Sequence, residues 1–326
     1  MKLDSLPPVF RDKNTSEESI VLDKEIEEDD DVVIPVIDLE NPNPEKIGGA
    51  CKDWGMFRLV NHGVPLNILT QLQDHSRDLF SLSFERKQSL FTTPLSYFWG
   101  TPALTPSGTA LTGVPRNMNW VEGLNIPLGL LAEFGAADNA KLHSFRVLIE
   151  EYGGHLAKLA STVFEVMAKN LNLNPQHSKS YLSESTGFVR VYRYPQCSMA
   201  RESWGMDVHT DSSVISILFQ DQVGGLELLK DDKWLKVKPI PHTLILNLGD
   251  MMQAISNDEY KSVKHRVKLN KWDERLSICY FVFPAEGGVI QSSKYKPFTY
   301  SDFQAQVQQD IKALGYKVGL DKFRVG

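Results

Sequence analysis

Apolar positions along the chain follow two different rhythms. Between residues 45 and 172 they recur mainly three and four apart, and from residue 187 to 283 they come in short runs separated by turn residues. The first rhythm is that of helices with one buried face, the second that of strands. Leu66, Leu69, Leu72, Leu79 and Phe80 predict a helix over 66–80. Leu142, Phe145, Leu148, Leu156, Leu159, Ala160, Val163, Phe164 and Met167 predict a long helix over 138–172, with Gly153-Gly154 a place for it to kink. A short helix is expected over 45–53 and buried strands over 32–39 and 56–60, the second closed by the turn Asn61-His62-Gly63.

Strands are then expected over 188–194, 214–219, 226–229, 234–237, 243–248, 261–267 and 275–283, with Lys230-Asp-Asp-Lys233 as a hairpin turn. This many short antiparallel strands imply a sandwich or jelly roll. A last helix over 302–314 reads as capped by Ser301 and ended by Gly315. The predicted class is α+β, in four stretches: a flexible acidic tail (1–31), a helical and strand region (32–180), a jelly-roll region (185–290) and a C-terminal helix with its tail (291–326). The helical and β-rich halves are expected to pack as one unit. Residues 92–130 read as a long irregular segment, of the kind that carries function. Its aromatics make Tyr97 and Trp120 candidates for a substrate pocket.

Composition narrows the function classes. The 326 residues are 42% hydrophobic, enough for a large core. A net charge of −6 without a long basic run argues against nucleic acid or an anionic membrane as partner. Cys51, Cys197 and Cys279 are far apart, which argues against a disulfide framework or structural zinc. No apolar run approaches the ~20 residues of a membrane span, and Met1 to Pro8 lacks a signal core. The expectation is a cytoplasmic monomer acting on a small molecule.

The chemistry concentrates at His209-Thr-Asp211 and at the distant His265. On extended backbone, residues two apart share a face. An imidazole and a carboxylate there, with a second imidazole from elsewhere, make a 2-His-1-carboxylate triad that leaves open positions on Fe(II). Downstream, Arg275 and Ser277 share a face of a β-branched and aromatic strand, where a guanidinium fork and a hydroxyl make a carboxylate clamp. The other polar candidates have plainer readings: His62 in a turn, His143 and His155 on a helix surface, His242 at a hairpin tip, and Asn247 and Asp250 in a turn closing a strand.

Taken in order, Ile34-Pro-Val-Ile-Asp38, Trp54-Gly-Met-Phe57, Asn61-His-Gly-Val-Pro65, Tyr194-Pro195, His209-Thr-Asp211, Gly224-Gly-Leu226, Asn247-Leu-Gly-Asp250, His265-Arg266 and Arg275-Leu-Ser277 resemble the plant 2-oxoglutarate- and Fe(II)-dependent dioxygenases over nearly the whole chain. Trp120-Val-Glu122 and Lys317-Val-Gly-Leu320 are most similar to the gibberellin oxidases within that family. The resemblance implies a double-stranded β-helix with a helical N-terminal region around it. It also implies iron on His209, Asp211 and His265, and 2-oxoglutarate chelating that iron with its far carboxylate on Arg275 and Ser277 and a contact from Tyr194. Ascorbate supports such enzymes, and dioxygen is the co-reactant. Oxidative decarboxylation then yields succinate and CO2 while an unactivated C–H bond is hydroxylated. One position departs from the family: Tyr192 stands where Asn is common, on the face shared by Arg190 and Tyr194, so Tyr192 joins Tyr97 and Trp120 as a pocket candidate. Three alternatives stay open: a different plant hormone or specialised metabolite such as a flavonoid or auxin, an ascorbate-assisted oxidase without 2-oxoglutarate, and a silent binding protein that keeps the fold.

Overall fold

The computed structural model describes residues 2–11, 31–91, 94–100, 119–134, 140–197 and 204–326. Eight strands form one sheet, in the spatial order Val36–Asp38, Met56–Val60, Leu244–Leu248, Ile215–Gln220, Arg275–Phe283, Ser183–Tyr194, Glu122–Pro127 and Ser96–Trp99. A second sheet has the order Asp31–Val32, Lys233–Val237, Leu226–Lys230, His265–Lys268 and Trp204–His209. Nearly all pairings are antiparallel. The eight-stranded sheet takes strands from both halves of the chain, so the change of rhythm near residue 185 lies within one sheet.

The larger sheet is covered on both faces, which is why a strand such as Leu244–Leu248 is apolar and buried throughout. One face carries the helices Leu66–Phe80 and Ala140–Asn170, whose buried Leu69, Leu72, Tyr152, Leu156 and Phe164 share a core with Val189, Ile217 and Leu246 of the sheet. The other face meets the second sheet across a separate core with Tyr192, Tyr194, Leu226, Leu228 and Val267. Two such sheets face to face make the double-stranded β-helix, and the space between them opens into the cavity described below. Among the described residues, no helix is long and apolar enough to cross a membrane.

Several expectations change. The run 32–39 is two strands in different sheets, because Pro35 cannot donate to a ladder; its carbonyl accepts from the Arg58 amide at 2.8 Å. The long helix runs unbroken through Gly153-Gly154. Gly153 serves contact rather than bending, since a Cβ there would lie 2.7 Å from Leu128. The last helix starts at Tyr300, with Thr299 as N-cap in a reciprocal capping box with Asp302, so Ser301 lies inside it. The segment expected to be irregular supplies two strands, Ser96–Trp99 and Glu122–Pro127. A further hairpin, Val289–Ser292 with Tyr295–Thr299, had no counterpart in the sequence reading.

The expected N-terminal tail is tied down at its start. Leu6 and Ser5 are fully buried, the buried Lys87 donates to the Ser5 carbonyl, and Phe10 packs on Trp99 and Trp120. A polar, proline-containing stretch reads as tail because such docking depends on partners far away in sequence. The acidic positions 25–30 and residues 101–118 of the candidate loop lie outside the described residues.

Candidate active site

His209 ends one strand and His265 begins the next, and the two are direct partners across an antiparallel ladder. Cross-strand partners project to the same face, which brings the ring centroids to 4.2 Å. Asp211 lies two residues past the strand end. Its backbone is pinned by the Asp250 amide, which donates to the Asp211 carbonyl at 2.8 Å, and by Lys317 Nζ, which donates to the Thr210 carbonyl at 2.5 Å.

The imidazoles are oriented by backbone. His209 Nδ1 donates to the Asp207 carbonyl at 2.7 Å, and His265 Nδ1 donates to the Val263 carbonyl at 3.1 Å. A carbonyl only accepts, so both rings carry hydrogen on Nδ1 and turn an Nε2 lone pair inward. Each Nε2 is 3.8 Å from Asp211 Oδ1. Asp211 Oδ2 is held on the far side by Ser216 Oγ and by Asn247 Nδ2, the latter at 2.7 Å. One carboxylate oxygen is thus fixed and the other is left for the histidines' side. Neighbouring ligands on a metal at ~2.1 Å sit ~3 Å apart, so the group needs only a small contraction to close on an ion.

Electrostatics favour the ligand forms. Burial, with His265 beside it, pushes His209 down to about 3, so the ring is neutral at neutral pH. Burial works against the charge on Asp211. His265 and His209, with the Ser216 and Asn247 hydrogen bonds, outweigh it and hold the carboxyl below its usual range. His209, Asp211 and His265 are the group of potential ligands found among the described residues, with their atoms within 4.8 Å of one another. Two imidazoles and one carboxylate, without thiolate, suit Fe(II) with open positions.

A buried cation stands beside this group. Arg275 is 2% exposed; it donates to Gln220 Oε1 at 2.8 Å and to Ser277 Oγ at 3.2 Å, and its guanidinium lies 4.9 Å from the Tyr194 ring centroid. Among the described residues no carboxylate pairs with it, and Arg275 Nε and Gln220 Nε2 are buried without partners. A buried charge in that state is costly unless an anion joins it. The far carboxylate of 2-oxoglutarate fits that requirement. Gly205 keeps the wall thin, since a Cβ there would lie 2.6 Å from the Tyr194 ring.

The cavity between the sheets includes all six residues assigned to metal and cosubstrate: His209, Asp211, His265, Tyr194, Arg275 and Ser277. It also includes Tyr192, and is otherwise lined mostly by apolar side chains such as Met206, Leu218, Leu226, Val267 and Phe281. Tyr97 and Trp120 are corrections to the expected pocket, because neither is part of this lining. Tyr97 points to the opposite side of its strand, where its hydroxyl donates to Glu122 Oε2 at 2.6 Å. Its neighbour Phe98 takes the pocket side and meets Tyr192 edge-on. Trp120 packs on Trp99 and Phe10. A one-residue shift on a strand exchanges faces, and an irregular reading of this segment gave no register to decide it. Asn247 lies within its expected strand, and its side chain holds Asp211, a role its plain reading near a strand end did not include. Ser216 and Gln220 were not singled out in sequence; the one available signal was that they are the two polar residues, second and last, of an otherwise apolar strand.

This donor set between the sheets of a double-stranded β-helix, with an unpaired arginine next to it, defines a non-haem iron oxygenase with an acidic cosubstrate. Comparison with known proteins supplies the family. Residues 185–284 match the 2OG-Fe(II) oxygenase superfamily, and residues 34–130 match the N-terminal region described as non-haem dioxygenase in morphine synthesis. The chain is 36% identical over 309 residues to Gibberellin 2-beta-dioxygenase 8 of Arabidopsis thaliana, covering 90% of this chain and 88% of that one. It is 30% identical to Flavanone 3-dioxygenase 2 of Oryza sativa subsp. japonica, covering 84% and 83%. Among solved structures, JOX2 in complex with 2OG, Fe and JA superposes with a TM-score of 0.75 at 29% identity, covering 90% and 89%. The rice dioxygenase for auxin oxidation gives 0.71 at 25%, covering 90% and 100%. The chain belongs to the 2OG-Fe(II) oxygenase superfamily and is an Fe(II)- and 2-oxoglutarate-dependent dioxygenase.

Proposed function

We propose that the enzyme hydroxylates a small, mainly apolar plant metabolite, with a gibberellin as first candidate. The observation that carries the candidate is the run of gibberellin 2-beta-dioxygenases, at 31–36% identity, among its relatives. The apolar character rests on Met206, Leu218, Leu226, Val267 and Phe281 around the ligand group. His209, Asp211 and His265 hold Fe(II) in this reading. Arg275, Ser277 and Tyr194 hold 2-oxoglutarate, and ascorbate keeps the iron reduced. The iron and cosubstrate together supply oxidative decarboxylation of 2-oxoglutarate to succinate and CO2 and the transfer of oxygen into a C–H bond. The protein's part is to turn both imidazoles with Nε2 inward, keep His209 neutral, hold Asp211 by one oxygen, seat an anion on Arg275, and offer the substrate a dry apolar wall.

The protein works as a cytoplasmic monomer on this reading, with neither nucleic acid nor membrane as partner. A silent binding protein is disfavoured by the convergence of all three ligands and the unpaired arginine. The test is incubation with Fe(II), 2-oxoglutarate and ascorbate against gibberellins, indole-3-acetate and a flavanone, with products read by mass spectrometry. A product 16 mass units heavier from a gibberellin, with matching succinate, is the expected result. Oxidation of the flavanone alone would replace the candidate and leave the enzyme class standing.

A further inference from the structure

The strands Ser183–Tyr194 and Arg275–Phe283 pair in the register Arg275–Tyr194, Ser277–Tyr192, Cys279–Arg190 and Phe281–Phe188. Alternate rungs of an antiparallel ladder share a face, so these four pairs form one continuous floor. The first two rungs carry the cosubstrate residues, and Tyr192, Cys279 and Phe281 line the same cavity. Arg190, on the third rung opposite Cys279, is a second cation on the same sheet face, at the edge of the cavity rather than in its lining.

Its surroundings leave it uncompensated. Arg190 Nε donates to Asn125 Oδ1 at 3.1 Å and one terminal nitrogen donates to the Tyr192 hydroxyl at 3.3 Å. The guanidinium stands 4.9 Å from the Phe188 ring centroid and 5.6 Å from that of Phe281. Both hydrogen-bond partners are neutral and both stacking partners are apolar, and among the described residues no carboxylate pairs with this half-buried side chain. The other terminal nitrogen has no protein acceptor among the described residues. Tyr192 accepts from Arg190 and so keeps its own O–H to donate. Arg275 and Cys279, the latter opposite Arg190, are four positions apart on their strand, which is about 13 Å along the floor. A five-carbon dicarboxylate with one end on iron and the other on Arg275 does not extend to Arg190. A different anion belongs there.

We propose that Arg190 and Tyr192 form the docking subsite for a carboxylate carried by the organic substrate. The proposal rests on the dioxygenase reading of the site and narrows its substrate to acids. A guanidinium on apolar rings binds a carboxylate by charge-assisted hydrogen bonds, and its Asn125 and Tyr192 contacts fix the fork in advance. Tyr192 adds a phenolic donor beside the guanidinium, which makes this position a specificity feature.

The test is anaerobic calorimetric titration of the full chain, loaded with Fe(II) and 2-oxoglutarate, with acids and their methyl esters: a gibberellin, indole-3-acetate and each ester. At least one acid is expected to bind about tenfold or more tighter than its ester. Arg190→Gln removes that preference, Arg190→Lys restores part of it, and Tyr192→Phe, which keeps the ring and its packing, lowers it. Equal binding of acid and ester in every pair, or no binding by either acid, overturns the proposal. So does Arg190→Gln weakening acid and ester equally, which marks a merely structural arginine. Should Arg190→Gln fail to fold, Tyr192→Phe decides, and an unchanged acid preference there counts against the subsite. Failure of the wild type to load Fe(II) and 2-oxoglutarate at all would instead refute the underlying reading of the site.

Discussion

Arg190 and Arg193 lie three residues apart on one strand, on opposite faces of the sheet, in opposite electrostatic situations. Arg193 donates to Glu122 at 2.7 Å, to Glu274 at 2.8 Å and to the Phe80 carbonyl at 3.1 Å. Glu122, fully buried, also receives the fully buried Lys87 ammonium at 2.5 Å and the Tyr97 hydroxyl at 2.6 Å. Lys87 spends its remaining donors on the Ser5 and Phe80 carbonyls. Two cations meet two carboxylates and the cluster is closed. Across the sheet, Arg190 has neutral partners, and Arg275 Nε, Gln220 Nε2 and Asn247 Oδ1 are buried with none. Burial costs a polar group the same on either face. The closed cluster around Glu122 therefore reads as architecture, joining the N-terminal segment to the sheet. The open face reads as a place whose missing partners arrive as ligands.

The first way to break this comparison is to open the closed face. Glu122→Gln strands Lys87 in the core and leaves Arg193 with Glu274 alone, and a loss of about 3–5 kcal/mol in urea unfolding is expected. The apparent KM for 2-oxoglutarate should stay near the wild-type value. A stable variant with impaired cosubstrate use would mean the two faces are not separate in role. The second acts on the open face, one contact back from the metal. Asn247→Ala removes the donor that holds Asp211 Oδ2, and Fe(II) affinity by equilibrium dialysis should fall about 10- to 100-fold. An unchanged affinity would reduce Asn247 to a strand residue.

Arg275→Lys keeps the charge and loses the fork, so KM for 2-oxoglutarate should rise about tenfold while iron binding persists. If only the organic substrate suffers, the cosubstrate end has been misplaced. The smallest expected effect is a slope with pH. His209 in the metal-free protein is pushed down to about 3, while a histidine in the unfolded chain protonates near ~6.5. Below that value the unfolded state takes up a proton that the folded state refuses. Stability is therefore full above about 6.5 and falls as acid is added toward the folded value. Between pH 6.5 and 5 the urea midpoint of the metal-free wild type should fall more steeply than that of His209→Asn, and equal slopes would contradict a neutral, half-buried His209.

What could be read from sequence follows the same division. Arg275 and Ser277 were legible because strand alternation puts residues two apart on one face, and this pattern survives into the structure; His209 and Asp211 were legible from the same spacing although Asp211 lies just past the strand end. His265 was legible as an answering ligand. Its placement opposite His209 needed the ladder register, which no local pattern states. Ser216, Gln220 and Asn247 come from strands brought together only by the sheet. Tyr97 was misplaced because the strands Ser96–Trp99 and Glu122–Pro127 hide in a stretch read as loop, and with them the entire closed cluster around Glu122. The docking of Ser5 and Leu6 was illegible for the same reason, since the Ser5 partners Lys87 and Arg193 are far along the chain.

The central claim is that the open face takes one iron and one 2-oxoglutarate on named residues. Anaerobic titration of the full chain with Fe(II) in the presence of 2-oxoglutarate, followed by the visible charge-transfer absorption of the chelated metal, tests it most directly. The expected result is a band that saturates at one iron per chain in the wild type and is lost in His209→Ala, Asp211→Ala and His265→Ala, each still folded by circular dichroism. A band of undiminished strength and affinity in any one of these three variants would contradict the account.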